Sequence, residues 1–228
     1  MNSQHANLSD AEKIIGYTFS DKTLLRKAFT HSSYSNEHKS VEDYQRLEFL
    51  GDAVLGLVTG LRLFHIFPSA KEGELTKRRA ALVSAETLAS VIDELGLIRF
   101  MIVGTGQAAE DVLNSENVKC DLFEAIIGAI VLDCGDQTVQ AEKFIEKNLQ
   151  KYLNRPCIDY KSKILEYCAK KHVKCLIDTK IVDENAKHAS FVTKLFVGDN
   201  LVSDGEGKSK SAAERIACRK FYDSIVSL

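Results

Sequence analysis

Helical spacing of apolar residues dominates the first 153 residues of this chain, and it gives way to a different pattern afterwards. Apolar side chains that recur every three or four residues lie on one face of an α-helix. Six segments show this spacing: 9–16, 21–30, 43–64, 76–95, 119–133 and 137–153. Residues 102–117 are polar and contain two glycines, which predicts a loop. No convincing strand pattern precedes residue 154, so residues 1–153 are predicted to form an all-α domain.

The pattern changes at residues 154–158, which include Pro156. Proline lacks the amide that a continuing helix needs, so this segment is predicted to be a linker. The remaining segments predict two helices that flank three strands: helix 159–172, strands 175–182, 190–197 and 200–203, and helix 209–226. Gly198 and Asp199 suit a hairpin turn between the last two strands. Residues 159–228 are therefore predicted to form a small α+β domain of order α-β-β-β-α.

Composition and charge narrow the class of protein further. The chain has 228 residues and is 45% hydrophobic, which is typical of a globular protein. Its longest apolar run is eight residues, 125–132, against about 20 for a membrane helix. With no secretory signal pattern at the start, we expect a cytoplasmic protein with no membrane partner. The six cysteines include no CxxC pair and are expected to be reduced.

Charge divides unevenly between the two predicted domains. Residues 1–153 carry a formal net charge of −6, and residues 154–228 carry +4. A basic domain beside an acidic one is a candidate for binding an anion such as nucleic acid.

The segment 45–61 carries two acids on an otherwise apolar helix. At about 100° per residue, Glu48 and Asp52 share one face of the helix, and Gln45 lies beside them one turn earlier. The apolar arc opposite comprises Leu47, Leu50, Val54, Leu57, Val58 and Leu61. Stacked carboxylates repel each other, so something must compensate their charge.

The segment 120–132 poses the same problem. Asp121 and Glu124 share one face, and the eight residues that follow carry no charge, which is typical of a buried helix. Four carboxylates on two apolar helices suggest a site for a hard divalent cation, and Mg²⁺ prefers oxygen ligands of this kind. Two alternatives remain open for single acids. Asp52 and Asp121 could cap helices, and Glu48 could pair with one of three arginines, Arg46, Arg78 or Arg79.

These acids lie in recognisable motifs. The first motif reads Gln45-Arg46-Leu47-Glu48-Phe49-Leu50-Gly51-Asp52. It closely resembles the signature of the ribonuclease III family, Glu-Arg-Leu-Glu-Phe-Leu-Gly-Asp. The second acidic motif of that family is similar to Asp121-Leu122-Phe123-Glu124-Ala125-Ile126-Ile127-Gly128. Further matches in order and spacing are Thr30-His31-Ser32-Ser33-Tyr34 and Glu72-Gly73-Glu74-Leu75. The resemblance runs over nearly the whole chain and suits the short bacterial class.

The resemblance implies a metal-dependent nuclease. It implies that Glu48, Asp52, Asp121 and Glu124 hold catalytic Mg²⁺, for which Mn²⁺ would substitute, with Asp52 and Glu124 as catalytic residues. Glu72 and Gln45 would support the active site, and His31 is expected to be structural. The family fold is a helical domain that forms a homodimer. Each of its two sites hydrolyses one strand of double-stranded RNA, leaving 5′-phosphate and 3′-hydroxyl ends with short 3′ overhangs. Expected substrates are rRNA precursors and structured mRNA.

The second domain resembles a double-stranded RNA-binding domain over residues 159–227. Such domains recognise the shape of A-form RNA through phosphates and 2′-hydroxyls. Lysines at a helix N-terminus, where free amides already attract phosphate, suit this role. The RNA-binding residues implied by the resemblance are Glu166, His188, Lys208, Ser209 and Lys210.

One departure from the family pattern is Gln45, which stands where the signature has its first glutamate. It leaves a second hypothesis open, a non-catalytic RNA-binding protein on the same fold. Such proteins typically lose the acids, whereas all four remain here, so the sequence favours the enzyme.

Overall fold

The computed structural model describes residues 8–105, 109–153, 159–182, 190–207 and 209–226. The chain divides into two compact units, residues 1–155 and 156–228, and each is described by itself. The predicted linker, residues 154–158, lies outside the described residues.

The described part of the first unit is built from α-helices, which confirms the predicted all-α class. The α-helices are α1 (Leu8–Ile15), α2 (Lys22–Ala28), α3 (Ser32–Glu37), α4 (Gln45–Ile66), α5 (Glu72–Leu82), α6 (Ala85–Leu95), α7 (Ala109–Asn114), α8 (Glu116–Asp133) and α9 (Val139–Leu149). Two short 3₁₀ turns follow α6 and α9, at Leu97–Phe100 and Gln150–Tyr152.

Helix α8 is the centre of this unit and is buried along most of its length, as its apolar sequence predicts. Helix α4 crosses it in backbone contact. A Cβ atom added to Gly51 would lie 1.8 Å from the carbonyl oxygen of Glu124, and one added to Gly128 would lie 2.1 Å from that of Leu47. Only glycine permits this approach. The two glycines therefore hold together the two helices that carry the predicted site acids.

The buried face of α4 differs from the predicted apolar arc. Leu57 and Leu61 are 57% and 53% exposed, whereas Leu55 is fully buried. The face that contacts α8 runs through Leu47 and Gly51, and this contact turns the outer part of the arc to solvent. In the described part of the chain, α4 is also the one helix long and apolar enough to cross a membrane by length and composition. One face of this helix packs on α8, and much of the rest of its apolar surface is exposed in this unit.

Two other sequence predictions are wrong in the first unit. Segment 76–95 is predicted as one helix but forms α5 and α6, because Ser84 has extended backbone and its hydroxyl accepts the Thr87 amide as an N-cap. Segment 102–117 is predicted as a loop but contains α7 and the first two residues of α8. The short helix α3 lies between the predicted elements, where no apolar spacing indicates a helix.

The second unit has the predicted order α-β-β-β-α. Its elements are α10 (Tyr160–Lys170), β1 (Cys175–Ile181), β2 (Phe191–Val197), β3 (Asn200–Gly207) and α11 (Lys210–Val226). The three strands form an antiparallel sheet in the order β1-β2-β3. Gly198, at a φ of +62°, makes the predicted turn between β2 and β3. Strand β3 continues to Gly207, four residues beyond the predicted end, because Gly205 and Gly207 let α11 pack directly on the strand.

Candidate active site

The crossing of α4 and α8 brings the predicted site acids together. Glu48 and Asp52 lie on α4 on either side of Gly51, and Asp121 and Glu124 lie on the first half of α8. Burial, together with the negative charges of the other three acids, raises the pKa of Glu124 to about 7. Burial is also the largest cause that raises the pKa of Glu48 and of Asp121. The charges of the other three acids all act on Glu124, so the four carboxylates lie near one another at the crossing.

No cation of the protein neutralises this cluster within the described residues. Arg78, one of the candidate partners of Glu48, instead pairs with Glu74 at 2.8 Å. None of the four acids forms an ion pair in the described ranges. A half-buried group of oxygen donors with excess negative charge suits a hard divalent cation. The chemistry of the donor set therefore fits a catalytic metal ion.

Tyr44 positions one of the four acids. Its hydroxyl donates a hydrogen bond of 3.0 Å to Oδ2 of Asp121, and its side chain is buried where α4 begins. Its backbone amide donates to the carbonyl of Thr30 at 3.0 Å, which fixes the ring relative to the loop before α3. An acid that accepts such a bond keeps one oxygen oriented and the other available.

Cys120 adds a sulfur atom to the site. Its thiol lies 3.8 Å from Oε1 of Glu124, one helical turn further along α8. The ligand atoms of Cys120, Asp121 and Glu124 lie within 4.8 Å of one another. Burial raises the pKa of this thiol, with the neighbouring carboxylates adding to the effect.

His31 has the structural role that the sequence favours. Its backbone has the extended conformation of an N-cap residue, and its Nδ1 accepts the amide hydrogen of Ser33 at 3.1 Å. Burial lowers the pKa of His31, although the charges of Asp121 and Asp43 act in the opposite direction. The histidine starts α3 and lies beside Tyr44, with ring centroids 5.8 Å apart.

The two predicted support residues lie at helix starts. Gln45 is the exposed first residue of α4, one turn before Glu48. Glu72 is the exposed first residue of α5, and its carboxylate accepts the hydroxyl hydrogen of Thr76 at 2.8 Å. Glu72 is not among the groups that raise the pKa of the cluster acids. Their support of the site remains a prediction.

The predicted RNA-binding residues divide into described and undescribed ones. Ser209 caps α11, because its hydroxyl accepts the Ala212 amide at 3.2 Å, and Lys210 is the exposed first residue of that helix. Glu166 is exposed on α10 and pairs with Lys163 at 3.2 Å. His188 and Lys208 lie outside the described residues.

Comparison with known proteins decides the family. Residues 21–153 match the family described as Ribonuclease-III-like. The chain belongs to the ribonuclease III family. It is therefore an endoribonuclease, and nucleases of this family depend on a metal ion. Residues 160–225 match the double-stranded RNA binding motif, so the substrate of this ribonuclease III is double-stranded RNA.

Individual relatives agree with this assignment along nearly the whole chain. "Ribonuclease 3" of Leptospira interrogans is 37% identical over 96% of this chain and 91% of its own length. "Ribonuclease 3" of Enterococcus faecalis is 37% identical over 92% of this chain and 94% of its own length.

Solved structures of a related nuclease domain are similar to the first unit. The crystal structure of the nuclease domain of ribonuclease III from Campylobacter jejuni has a TM-score of 0.59 and 37% identity. It covers 68% of this chain and 99% of the Campylobacter chain. A second structure of that domain, with a TM-score of 0.56 and 40% identity, covers 62% of this chain and 98% of its own. This second structure is described as showing structural flexibility in a region of the Campylobacter domain that is involved in dimer formation.

Sequence reasoning missed Tyr44 and Cys120. Tyr44 directly precedes the signature, but its partner lies 77 residues further along the chain, so no local pattern reveals their hydrogen bond. Cys120 directly precedes Asp121 and is one helical turn from Glu124. That spacing was a usable signal, although the sequence indicated only a small hydrophobic residue.

Proposed function

We propose that this ribonuclease III is a Mg²⁺-dependent enzyme that cleaves double-stranded RNA to 5′-phosphate and 3′-hydroxyl ends with short 3′ overhangs. The observation that carries the proposal is the crossing of α4 and α8, where four carboxylates form one cluster without a cation partner in the described residues. Carboxylate oxygens suit Mg²⁺, and we expect Mn²⁺ to substitute because it accepts the same ligands.

The four acids, Glu48, Asp52, Asp121 and Glu124, would hold the ion. When bound, a divalent cation lowers the pKa of an attacking water and neutralises charge that develops on the phosphate. Asp52 is exposed, so a phosphate can reach it from solvent, whereas Glu124 is partly buried like the other two acids. Asp121 accepts a hydrogen bond from the Tyr44 hydroxyl, which orients its carboxylate.

The proposed homodimer uses the exposed side of α4. Phe49, Leu57, Leu61 and Phe64 recur at helical spacing along this side, and Phe49 and Phe64 are 81% and 65% exposed. A contiguous apolar stripe of this kind marks an interaction surface. Dimer formation by the similar Campylobacter jejuni nuclease domain supports a second copy of this chain as the partner. We expect Leu57→Asp to turn a dimer into a monomer in analytical ultracentrifugation.

The second unit would hold the duplex at the start of α11. Lys210 and the N-terminal end of the helix offer positive charge to a phosphate, and Ser209 fixes the first turn. Lys208, His188 and Glu166 are the other proposed contacts. The substrates we propose are rRNA precursors and structured mRNA in the cytoplasm.

Gln45 is proposed to weaken metal binding without abolishing it. Glutamine keeps the volume and one acceptor oxygen of glutamate but removes its charge. Four carboxylates remain, and Gln45 lies one turn away from the nearest of them. We expect Gln45→Glu to cleave at least as well as the parent and to reach its half-maximal rate at a lower Mg²⁺ concentration.

The direct test is to incubate the purified full-length protein with a long RNA duplex, with and without Mg²⁺, and to map the product ends. We expect short duplex products with the proposed ends only when the metal is present. Products that form without added metal and persist in excess chelator would contradict the mechanism. A parent that is inactive until Gln45→Glu revives it would favour the non-catalytic RNA-binding hypothesis.

A further inference from the structure

Helix α8 places a sulfur atom among the carboxylates of the active site. The group consists of Cys120, Asp121 and Glu124, whose ligand atoms lie within 4.8 Å of one another. Within the described residues, no other three side chains of the His, Cys, Asp and Glu types lie this close together. The proposed Mg²⁺ chemistry uses the two carboxylates but has no use for the thiol, because Mg²⁺ binds oxygen.

The three donors suit a different class of cation. Thiolate is a soft ligand that selects ions such as Zn²⁺ and Cd²⁺, and Zn²⁺ also accepts carboxylate oxygen. One sulfur and two carboxylate oxygens, with water as a fourth ligand, would supply the four ligands that Zn²⁺ usually takes. Cys120 and Glu124 are one helical turn apart and Asp121 is adjacent, so all three donors move together with α8.

We infer that Cys120, Asp121 and Glu124 form a site for a soft divalent cation, Zn²⁺ or Cd²⁺, that inhibits this nuclease. On binding, the thiol releases its proton to solvent and a sulfur–metal bond forms, with no change in oxidation state. The bound ion would occupy Asp121 and Glu124, two of the four carboxylates that Mg²⁺ requires. The inhibition rests on the proposed function, whereas the binding of the soft ion does not.

The other described cysteines lack this arrangement. Cys134, at the far end of α8, has its sulfur 3.1 Å from the Tyr17 hydroxyl. The carboxylate beside it, that of Asp133, already accepts the backbone amides of Ser20 and Asp21 at 2.8 and 2.7 Å. Cys134 is therefore a matched control. It is partly exposed at the end of the same helix, but the carboxylate beside it already accepts two backbone amides.

The binding test uses Cd²⁺ and the metal-free full-length protein. Sulfur bound to Cd²⁺ gives a ligand-to-metal charge-transfer absorption in the ultraviolet, which reports the bond without any need for activity. We expect Cys120→Ser to lose the absorption of one Cd²⁺–sulfur bond per chain relative to the parent. Cys134→Ser should keep that absorption. Cys120→Ala replaces the serine variant if that variant fails to fold. Equal absorption in the parent and in a folded Cys120 variant would overturn the site.

The inhibition test compares cleavage of one RNA duplex at a fixed Mg²⁺ concentration with increasing Zn²⁺, each variant being scaled to its own rate without zinc. We expect the half-inhibitory Zn²⁺ concentration to be at least about tenfold lower for the parent than for Cys120→Ser. More Mg²⁺ should raise that concentration, since the two ions compete for the same carboxylates. Equal inhibition of both proteins would overturn the inhibitory role. A parent that binds Cd²⁺ through Cys120 but never cleaves would instead contradict the proposed function and leave the soft-metal site standing.

Discussion

The Tyr44 hydroxyl donates a hydrogen bond of 3.0 Å to Oδ2 of Asp121 and so connects the start of α4 with the acidic face of α8. Glycine contacts hold the backbones of these two helices together about two turns further on, at Gly51 and Gly128. The tyrosine thus orients a carboxylate that packing alone would leave free to rotate.

Replacing Tyr44 with phenylalanine removes this hydrogen bond and keeps the ring. We expect Tyr44→Phe to bind Mn²⁺ about tenfold more weakly and to need a correspondingly higher Mg²⁺ concentration for half-maximal cleavage. Isothermal titration calorimetry with Mn²⁺ measures the first effect independently of activity. Tyr34→Phe is the control, because Tyr34 lies within α3 and stacks on His38 at the end of that helix, so its loss of a hydroxyl should leave the metal dependence unchanged. Identical Mn²⁺ affinities in the parent and Tyr44→Phe would remove the positioning role.

The helix crossing can be tested with two glycines on α4. A Cβ atom at Gly51 would lie 1.8 Å from the carbonyl oxygen of Glu124, so Gly51→Ala must push α4 and α8 apart. We expect this change to cost about 3 kcal/mol or more of unfolding free energy in urea titrations, and to impair cleavage. An added Cβ at Gly56 meets nothing within 4 Å, so Gly56→Ala should instead stabilise the helix by about 0.5–1 kcal/mol. Similar effects of the two substitutions would contradict the described crossing.

The sequence predicts features that depend on local spacing. The two acid pairs, the all-α first unit and the α-β-β-β-α order follow from periodicity within single elements. Features that depend on contacts between elements are not predictable in this way. The exposure of Leu57 depends on where α8 lies, and the bond between Tyr44 and Asp121 joins residues far apart in sequence. The break at Ser84 is an intermediate case, since a serine N-cap can be recognised but competes with continuous helical spacing.

The stability of the metal-free protein should depend on pH through Glu124. Its pKa is about 7 in the folded state, against 4.5 for the ordinary value. Between these values the folded state binds more protons than the unfolded state, so this carboxyl lowers stability as the pH rises, and the loss is complete above pH 7. Glu124→Gln should therefore stabilise the metal-free protein at about pH 8 by roughly 1–3 kcal/mol and have little effect at about pH 4.5.

Thermal unfolding in excess chelator at the two pH values measures this effect. Glu116→Gln provides the control, because Glu116 is exposed in the first turn of the same helix and should give no gain at the higher pH. A stabilisation by Glu124→Gln that is equal at both pH values would contradict the raised pKa.

Binding of duplex RNA should depend on Lys210 in a charge-specific way. We expect Lys210→Ala to weaken binding and to reduce the salt slope of log K by about 1, as loss of one phosphate contact requires. Lys170→Ala is the matched control. Lys170 ends α10 near the first residue of β1, whereas α11 begins beside Gly207, which pairs with β2 at the opposite end of the sheet. A salt slope that falls equally in both variants would contradict the assignment of α11.

We propose that the carboxylates at the crossing of α4 and α8 hold the metal ion on which cleavage depends. The most direct measurement is the cleavage rate of one RNA duplex against Mg²⁺ concentration for the parent and Glu124→Gln, together with duplex binding by both proteins. We predict that Glu124→Gln binds duplex as the parent does but cleaves it at least about 1,000-fold more slowly at every Mg²⁺ concentration, since it loses a direct ligand. Cleavage by Glu124→Gln at the parent rate, with the same Mg²⁺ dependence, would contradict the claim.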